Sequence, residues 1–450
     1  MKKGFTLIEL LAVILILGII ALIAIPTVNK ILNEAREGAF RTSSDNIMKS
    51  MEEACQTSLI RGDNPVLSYI FTDGKSSSKL EVKGTMPDDG YVFLDNECSV
   101  TDYFLKDQNY TYTNGEDIRQ DYMLKAPTEE STSILKTLYP SYYDNIVTVN
   151  FINNIAIPEG AIEVKDPSVS ENSKIKSWLV EDSGKYNLYI ASEKLIYANY
   201  NSSFLFFQIP SLTNINFENF DTTFVNDMSY MFCNLINLSN ADVSSFNTSN
   251  VTSMKSLFEG CQKLENINVT NWDTRNLIDM RYIFIDCYAL TSLDLSNWDT
   301  SKVEQMHYAF CLATNLREIK GIENWDTSNA TSFEGMFNGT KITSFDGSKW
   351  KTDINTSIRV MFVNCTSLTT LNLSGWNLNN IKDSYFMLYG CNSLNKIIIT
   401  DSDINSINLI ISALPNKTSS NPGTLIINGI SDNTSNIDTT TANSKYWNII

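Results

Sequence analysis

The sequence predicts an α+β chain of several domains: a long N-terminal transmembrane and stem helix, a small β-sheet head, and a C-terminal solenoid with a cap at each end. Three observations predict this order. An uncharged apolar stretch opens the chain, an amphipathic stretch follows it, and short tags recur every 25 to 27 residues in the C-terminal half. The length of 450 residues exceeds what one hydrophobic core normally supports. A hydrophobic content of 43% excludes a mainly disordered protein.

The N-terminal apolar stretch is predicted to cross a membrane. Residues 10–28 carry no charge. At about 1.5 Å per residue they span about 28 Å, close to the hydrocarbon thickness of a bilayer. Lys2 and Lys3 precede them, which favours a cytoplasmic N-terminus with the rest of the chain outside. A secretory signal would be shorter and would end in a small-residue cleavage site. Glu9 is costly in lipid unless a cation meets it.

The residues G-F-T-L-I-E-L-L, starting at Gly4, resemble the type IV prepilin motif at every defining position. The resemblance implies that prepilin peptidase cleaves between Gly4 and Phe5, and that the new Phe5 amine is N-methylated. It also implies that Glu9 pairs with the Phe5 amine of a neighbouring pilin subunit during assembly. Pro26 lies where such pilins kink or melt the helix. An uncleaved single-pass anchor is the alternative.

Beyond Pro26 the pattern becomes amphipathic, which predicts a stem helix that leaves the membrane. Its apolar residues are Ile31, Ala35, Ala39, Ile47, Met51 and Ala54. Alternating runs separated by D-D-G and N-G turn signals then predict short strands. Residues 82–92, V-K-G-T-M-P-D-D-G-Y-V, resemble part of the small β-sheet head of Gram-positive pilins.

Seven tags recur in the C-terminal half at spacings of 26, 26, 26, 27, 25 and 26 residues. They are F-D-T at Phe220, F-N-T at Phe246, W-D-T at Trp272, Trp298 and Trp325, W-K-T at Trp350 and W-N-L at Trp376. One unit is too small to bury its own apolar face, so the units are predicted to stack into a solenoid with one continuous core. The Trp rings are expected to lock adjacent coils in that core rather than to form a ligand platform.

Two apolar periods alternate within each unit. Steps of three and four residues, as between Met254 and Phe258, predict one or two helical turns, and the alternation that follows predicts a short strand. The predicted core columns of the helical part are Met254, Met280 and Met306, with Phe258, Phe284 and Phe310. Phe333 and Ile358 replace the Met, and Lys351 replaces the Asp of the tag, so local irregularity is expected there.

Residues 290–306, L-T-S-L-D-L-S-N-W-D-T-S-K-V-E-Q-M, closely resemble the BspA-like leucine-rich repeats of bacterial surface proteins. The resemblance implies a leucine-rich-repeat-type solenoid of about seven repeats. The full predicted order is prepilin leader (1–4), transmembrane and stem helix (5–58), pilin-like β head (59–115), linker (116–138), N-terminal cap (139–210), repeats (211–400) and C-terminal cap (401–450).

The eight cysteines divide into two groups. Cys261 and Cys287 hold the same place in their units, 26 residues apart, which favours buried free thiols over bridges. Cys365 and Cys391 repeat that spacing, and Cys233 and Cys311 follow the same argument. Cys55 and Cys98 lie in the pilin-like region, where a disulfide is an open alternative.

Little in the sequence points to catalysis or to a cofactor. A single histidine, His307, makes a Ser–His–Asp triad or a His-rich metal site hard to build. The net charge of −17 argues against nucleic acid as a partner. A polar column alternates with the inward strand residues: Asn216, Asp242, Asn268, Asp294, Asp346 and Asn372. These side chains could bind calcium or another ligand, but a solvated face is the simpler interpretation.

We therefore expect a non-enzymatic, pilin-like minor subunit, anchored in the cytoplasmic membrane as a precursor and displayed on the cell surface or a pilus. Its expected partners are prepilin peptidase, other pilin subunits, the membrane, and a host or matrix protein or glycan that binds the repeats. The alternative is a pseudopilin of a type II secretion-like or DNA-uptake machine, whose repeats would contact machine components. No cofactor is expected.

Overall fold

A computed structural model describes residues 7–63, 65–72, 75–78, 80, 85–108, 110–115, 117–127, 132–171, 174–354, 356–400, 404–429 and 436–450. Side chains are described from Val28 onward, except those of Asn29 and Gln120. The chain forms two compact units, residues 1–117 and 118–450. Among the residues searched within the described part, no helix is both long and apolar enough to cross a membrane.

The first unit packs one long helix, α1 (Leu7–Arg61), against a five-stranded antiparallel sheet. In chain order the strands are β1 (Ser68–Thr72), β2 (Lys75–Ser76), β3 (Asp89–Leu94), β4 (Val100–Lys106) and β5 (Thr111–Thr113). The sheet order is β2-β1-β3-β4-β5. Ile47 and Met51 of α1 are buried among sheet residues such as Phe71 and Val92. The buried face of α1 begins at Phe40, and Ile31 of the predicted apolar stripe is 59% exposed.

The second unit begins with α2 (Ile118–Tyr122) and α3 (Ile134–Leu138), two short helices within the segment predicted as a linker. Four strands follow: β6 (Ile146–Ile152), β7 (Ile162–Lys165), β8 (Lys176–Asp182) and β9 (Lys185–Ala191). They continue into the first coils through β11 (Asn214–Asn216) and β13 (Asn240–Ala241), in the order β13-β11-β6-β9-β8-β7. Strand β11 pairs in parallel with β6, so the first repeat strand adds to an existing sheet.

The remainder of the second unit is a β-solenoid of about nine turns. Its other strands are β10 (Ile196–Tyr197), β12 (Phe220–Asp221), β14 (Ser292–Asp294), β15 (Glu318–Lys320), β16 (Ser344–Asp346), β17 (Thr356–Ser357), β18 (Thr370–Asn372), β19 (Ile381–Asp383), β20 (Lys396–Thr400), β21 (Gly423–Asn428) and β22 (Trp447–Ile449). Helices α4 (Ile404–Ala413) and α5 (Thr439–Ser444) lie near its end. Paired strands of successive coils are parallel, as in β14 with β15.

The prediction of helical turns within each repeat is wrong. The segment from Met254 to Gly260 consists of successive β-turns, in which the Leu257 N–H donates to the Met254 carbonyl oxygen (3.2 Å). Ser256 and Gly260 have φ of 54° and 70°, left-handed values that no α-helix accommodates in its interior. The turn segments, as we call them, are residues 202–208, 228–234, 254–260, 280–286, 306–312, 333–339, 358–364 and 384–390.

Candidate functional site

The tryptophan column lies inside the solenoid. Rings of Trp272, Trp298, Trp325, Trp350 and Trp376 stack with centroid distances of 6.1 to 6.4 Å and interplanar angles of at most 12°. The Trp298 indole N–H donates to the Val269 carbonyl oxygen of the preceding coil (3.2 Å). None of the five rings is more than 6% exposed. The column therefore serves coil packing and offers no surface to a ligand.

The one-residue insertion before Trp325 has a local cost. It introduces Gly321 at φ 84°, where a Cβ atom would overlap the backbone of Ser296. The Trp325 indole nitrogen is buried and has no hydrogen-bond partner. An unpaired buried donor of this kind is destabilising. The Trp376 indole nitrogen is unpaired as well, although no insertion precedes it, so the missing bond is not specific to the insertion.

The two residues after the aromatic residue of the tag, often Asp-Thr, fix the turn that follows. The Asp299 carboxylate accepts a hydrogen bond from the Ser301 N–H (2.9 Å). The hydroxyl of Thr300, which is buried, donates to the Asp326 carbonyl oxygen of the next coil (2.9 Å). The same inter-coil bond is made by Thr222, Thr248, Thr274, Thr327 and Thr352. The tag thus holds its own turn and the neighbouring coil together.

The methionine and phenylalanine columns are also buried. Met254, Met280, Met306, Phe258, Phe284 and Phe310 have 0% exposure. Ring centroids lie 5.4 Å apart between Phe258 and Phe284, and 6.1 Å apart between Phe284 and Phe310. Phe333 and Ile358, which replace the Met in two coils, have 0% exposure too. These columns fill the core beneath the turn segments.

The cysteines occupy two different environments. Cys55 of α1 and Cys98, in the turn after β3, form a disulfide with a Cα–Cα distance of 5.7 Å. The six repeat cysteines, Cys233, Cys261, Cys287, Cys311, Cys365 and Cys391, are free and buried. Burial raises the pKa of the Cys365 thiol to about 12 and holds that of Cys287 higher still. Thiols that stay protonated are poor nucleophiles, so none of the six is suited to catalysis.

The polar strand column is used for backbone bonding. The Asp294 carboxylate accepts from the Ser296 N–H (3.2 Å) and the Ser296 hydroxyl (2.7 Å), which lowers its pKa. The other column members, Asn216, Asp242, Asn268, Asp346 and Asn372, accept from the N–H two residues onward in the same way. No group of three or more His, Cys, Asp or Glu side chains suited to a metal occurs in the described part of the chain.

A backbone ladder joins the turn segments, and sequence reasoning missed it. The Ser256 N–H donates to the Arg281 carbonyl oxygen (2.8 Å), and the Phe258 N–H donates to that of Ile283 (2.9 Å). Every second N–H of a segment thus leaves its own coil for the next one. In an α-helix these backbone N–H groups would donate within their own segment, but here every second one donates to the next coil. Apolar residues spaced three and four apart therefore lie on a chain of turns instead of a helix.

The turn segments display an outward surface that we call the turn stripe. One column comprises Ser229, Lys255, Arg281, His307, Glu334, Arg359 and Tyr385. The adjacent column comprises Phe204, Tyr230, Ser256, Tyr282, Tyr308, Gly335, Val360 and Phe386, all with positive φ. The small members of the two columns, Ser229, Ser256 and Gly335, are buried between their larger neighbours. The recurrence of aromatic residues at Phe204, Tyr230, Tyr282 and Tyr308 is the sequence signal that could have revealed the stripe.

The stripe combines aromatic and charged groups within short distances. The Tyr282 and Tyr308 rings stack with centroids 5.6 Å apart and an interplanar angle of 8°. The Lys255 ammonium lies 5.2 Å from the centroid of the Tyr230 ring. Arg281 forms an ion pair with Asp279 (2.6 Å). Such a mixture suits hydrogen bonding and charge contacts with a polar ligand better than apolar adhesion.

His307 lies half-buried in the same stripe, its ring edge-on to Tyr282 at 5.3 Å. Burial, and next the nearby Arg281 guanidinium, lower its pKa below the ordinary value. The histidine is therefore neutral near pH 7 and does not add to the positive charge of the stripe there.

The predicted processing and assembly residues cannot be placed with this geometry. Gly4 and Phe5 lie outside the described residues, as do the side chains of Glu9 and Pro26.

Comparison with known families separates the two ends of the chain. Residues 1–25 match the prokaryotic N-terminal methylation motif. Residues 200–316 and 288–402 match the family described as Mycoplasma protein of unknown function, DUF285. The motif indicates a type IV pilin-like precursor, and the repeats indicate a surface protein. The motif also implies processing by a peptidase and assembly with other pilins. No solved structure matches the chain.

Proposed function

We propose that the chain is a non-enzymatic, type IV pilin-like minor subunit that displays BspA-like leucine-rich repeats for adhesion to a protein or glycan. The turn stripe carries this proposal, because it places recurring aromatic rings and the charged side chains of Lys255, Arg281 and Arg359 along one array of coils. Repetition of a weak contact raises the overall affinity for an extended ligand. Display on a filament multiplies the contacts again.

For the N-terminal part of the chain, we propose that it anchors the precursor in the membrane. Residues 5–28 would cross the bilayer in the precursor and enter the filament core after cleavage, with Glu9 facing the methylated Phe5 amine of a neighbour. The exposed apolar residues Val28, Ile31 and Leu32 support this placement, since they extend the apolar surface beyond the membrane stretch. The five-stranded sheet against α1 would be the pilin-like head.

The adhesion proposal is tested on protein and glycan arrays with the full-length chain. The double variant Arg281→Ser, Tyr282→Ser removes one cationic and one aromatic group of the stripe. Both replacements have precedents in the same columns, Ser229 and Ser256, so the coils should tolerate them. We expect weaker binding to whichever matrix protein or glycan the native chain selects. Glu318→Ser, on the exposed strand side, is the matched control and should bind normally. Equal binding by both variants would reject the stripe as the adhesive surface.

The place of the chain in a machine is tested in the bacterium that produces it. Deletion of residues 118–450 should abolish adhesion and leave piliation intact. Loss of secretion or DNA uptake instead would assign the chain to a pseudopilin machine. Immunogold labelling should mark few positions on each filament, and uniform coating would contradict a minor subunit. Edman sequencing of the mature protein should begin at N-methylated phenylalanine.

A further inference from the structure

The last turn segment, residues 384–390, differs from the seven before it in what its backbone meets. At six of the seven interfaces between segments four N–H groups donate to the next coil, and at the other three do so. Between the last two segments, for example, the Val360 N–H donates to the Tyr385 carbonyl oxygen (2.9 Å) and the Phe362 N–H to that of Met387 (3.0 Å). The ladder is thus a continuous internal interface.

The equivalent donors of the last segment are the N–H groups of Ser384, Phe386, Leu388 and Gly390. Within the described part of the chain none of them meets an acceptor. On the strand side the solenoid continues from β20 into β21 and β22. On the turn side it stops, because the chain passes into α4 instead of a further turn segment. The ladder therefore ends in a row of open donors.

These donors face a groove of about 800 Å³ between the last turn segment and residues 409–416, which include the end of α4. Its lining exposes large apolar side chains: Tyr385 is 54% exposed, Phe386 50% and Tyr389 63%. Lys382 and Lys445 also line it. Unpaired backbone donors beside exposed aromatic rings form the edge to which an added peptide segment binds in β-augmentation.

The opposite end of the ladder is partly closed. Two of its carbonyl oxygens accept hydrogen bonds from side-chain hydroxyls: Ser133 donates to Leu205, and Tyr143 donates to Phe207. Stacking the first coil of a second copy on the open donors would have to break these two bonds. A segment of another protein is therefore the favoured occupant of the groove.

We propose that the groove binds a peptide segment of a partner protein that folds as a further turn segment and so continues the ladder by one coil. Carbonyl oxygens of that segment accept from Ser384, Phe386 and Gly390, whereas Leu388 is fully buried in the unbound chain. The apolar side chains of that segment pack on Phe386 and Tyr389.

The groove shares Tyr385 and Phe386 with the end of the turn stripe, but its backbone donors and the residues 409–416 are not part of the stripe. The inference therefore goes beyond adhesion by the stripe. The position of the groove suits a partner that binds at the C-terminal end of the turn ladder.

Hydrogen exchange tests whether the edge is open. In the full-length protein, the amides of Phe386 and Gly390 should exchange at least about tenfold faster than the matched amides of Val360 and Asn364, which donate to the next coil. Equal protection would overturn the inference, because the edge would already be covered.

Binding is tested with a capped synthetic peptide of residues 381–391, the segment that pairs with the preceding coil, against a scrambled peptide. We expect the native peptide alone to bind and to slow exchange of the Phe386 and Gly390 amides. Phe386→Gly should weaken binding about tenfold or more, since an aromatic contact is lost. Gly335 occupies the same column at φ 59°, so the fold should accept the change. Phe204→Gly, at the closed end, is the matched control and should bind normally.

A proline pair checks the backbone donors directly. Ser384→Pro removes an open N–H and should leave the melting temperature unchanged while weakening peptide binding. Ser202→Pro removes an N–H that donates to the Asp227 carbonyl oxygen (3.0 Å) and should lower the melting temperature. Absence of peptide binding, equal loss in both glycine variants, or concentration-dependent self-association through this groove would each overturn the inference. The adhesion proposal is tested separately, with variants of Arg281 and Tyr282, so failure of the groove and failure of the stripe can be told apart.

Discussion

The two units of the chain obtain stability in opposite ways. The first unit packs a single helix face on one small sheet and joins them covalently through Cys55 and Cys98. The second unit has one core that runs through all its coils, and its six cysteines remain free. Small folds with little buried area gain most from a cross-link, whereas a stacked array gains stability from each neighbouring coil. Cysteine use therefore follows the size of the core in each unit.

The largest expected effect comes from opening the tryptophan column. Trp298→Ala should destabilise the solenoid by about 3–5 kcal/mol, because it leaves a cavity between two stacked rings and removes the bond to Val269. Hydrogen exchange during denaturant unfolding measures each unit separately. Protection in residues 40–113 should stay unchanged. A matching loss there would mean that the units unfold together and that the comparison fails.

Loss of the disulfide should act on the first unit alone. The bridge closes a sequence separation of 43 residues, so Cys55→Ala with Cys98→Ala should cost about 2–4 kcal/mol. A reducing agent should lower the unfolding temperature of the first unit in the native chain and should not change it in this double variant. A change in the unfolding temperature of the solenoid under reduction would contradict the observation that the cysteines of the coils are free thiols.

Loss of one inter-coil hydrogen bond of the tag should reduce stability by less than loss of the disulfide. Thr300→Val keeps the shape of the side chain but leaves the Asp326 carbonyl oxygen without its donor, at a cost of about 1–3 kcal/mol. Thr291→Val, at an exposed position of the same coil, is the matched control and should change stability by less than about 0.5 kcal/mol. Equal effects in chemical denaturation would reject the threonine column as a stabilising device.

The smallest effect concerns pH and the turn stripe. The folded state lowers the pKa of His307, so the unfolded chain binds the proton more readily. Stability should therefore fall as the pH drops through the ordinary histidine value, until the folded state is protonated as well. NMR titration of this single histidine should give a midpoint below that of a model peptide. His307→Gln should remove this step from the stability profile, and an unchanged step would assign it elsewhere.

The periodicity of the sequence revealed which residues face the core, but it did not reveal the backbone conformation of the repeats. The burial of Trp298, Met280 and Phe284 follows from the strict repeat, because side chains at the same position of successive coils pack against the same kinds of neighbours. The spacing of Met254 and Phe258 is shared by a helix and by a chain of turns, so it could not decide between bonds within a coil and bonds between coils. The left-handed backbone at Tyr282 carries no sequence mark, since Tyr is not a residue that favours it.

The open end of the ladder and the disulfide could not be predicted from the sequence, for a different reason. Whether Ser384 and Phe386 meet another coil depends on where the chain goes after β20, which no local pattern encodes. Spacing alone could not decide whether Cys55 and Cys98 pair, because their proximity arises from packing between α1 and the sheet. Sequence reasoning is strongest where the molecule repeats itself and weakest where the repetition ends.

The direction of the ladder bonds has a mechanical consequence. Each bond links one coil to the next, so a pulling force between the two ends of the solenoid loads these contacts in series. Coils would then detach singly, and each would release 26 residues, a contour length of about 90 Å. A cell held to a surface through such an array would experience a graded extension under flow instead of one abrupt rupture.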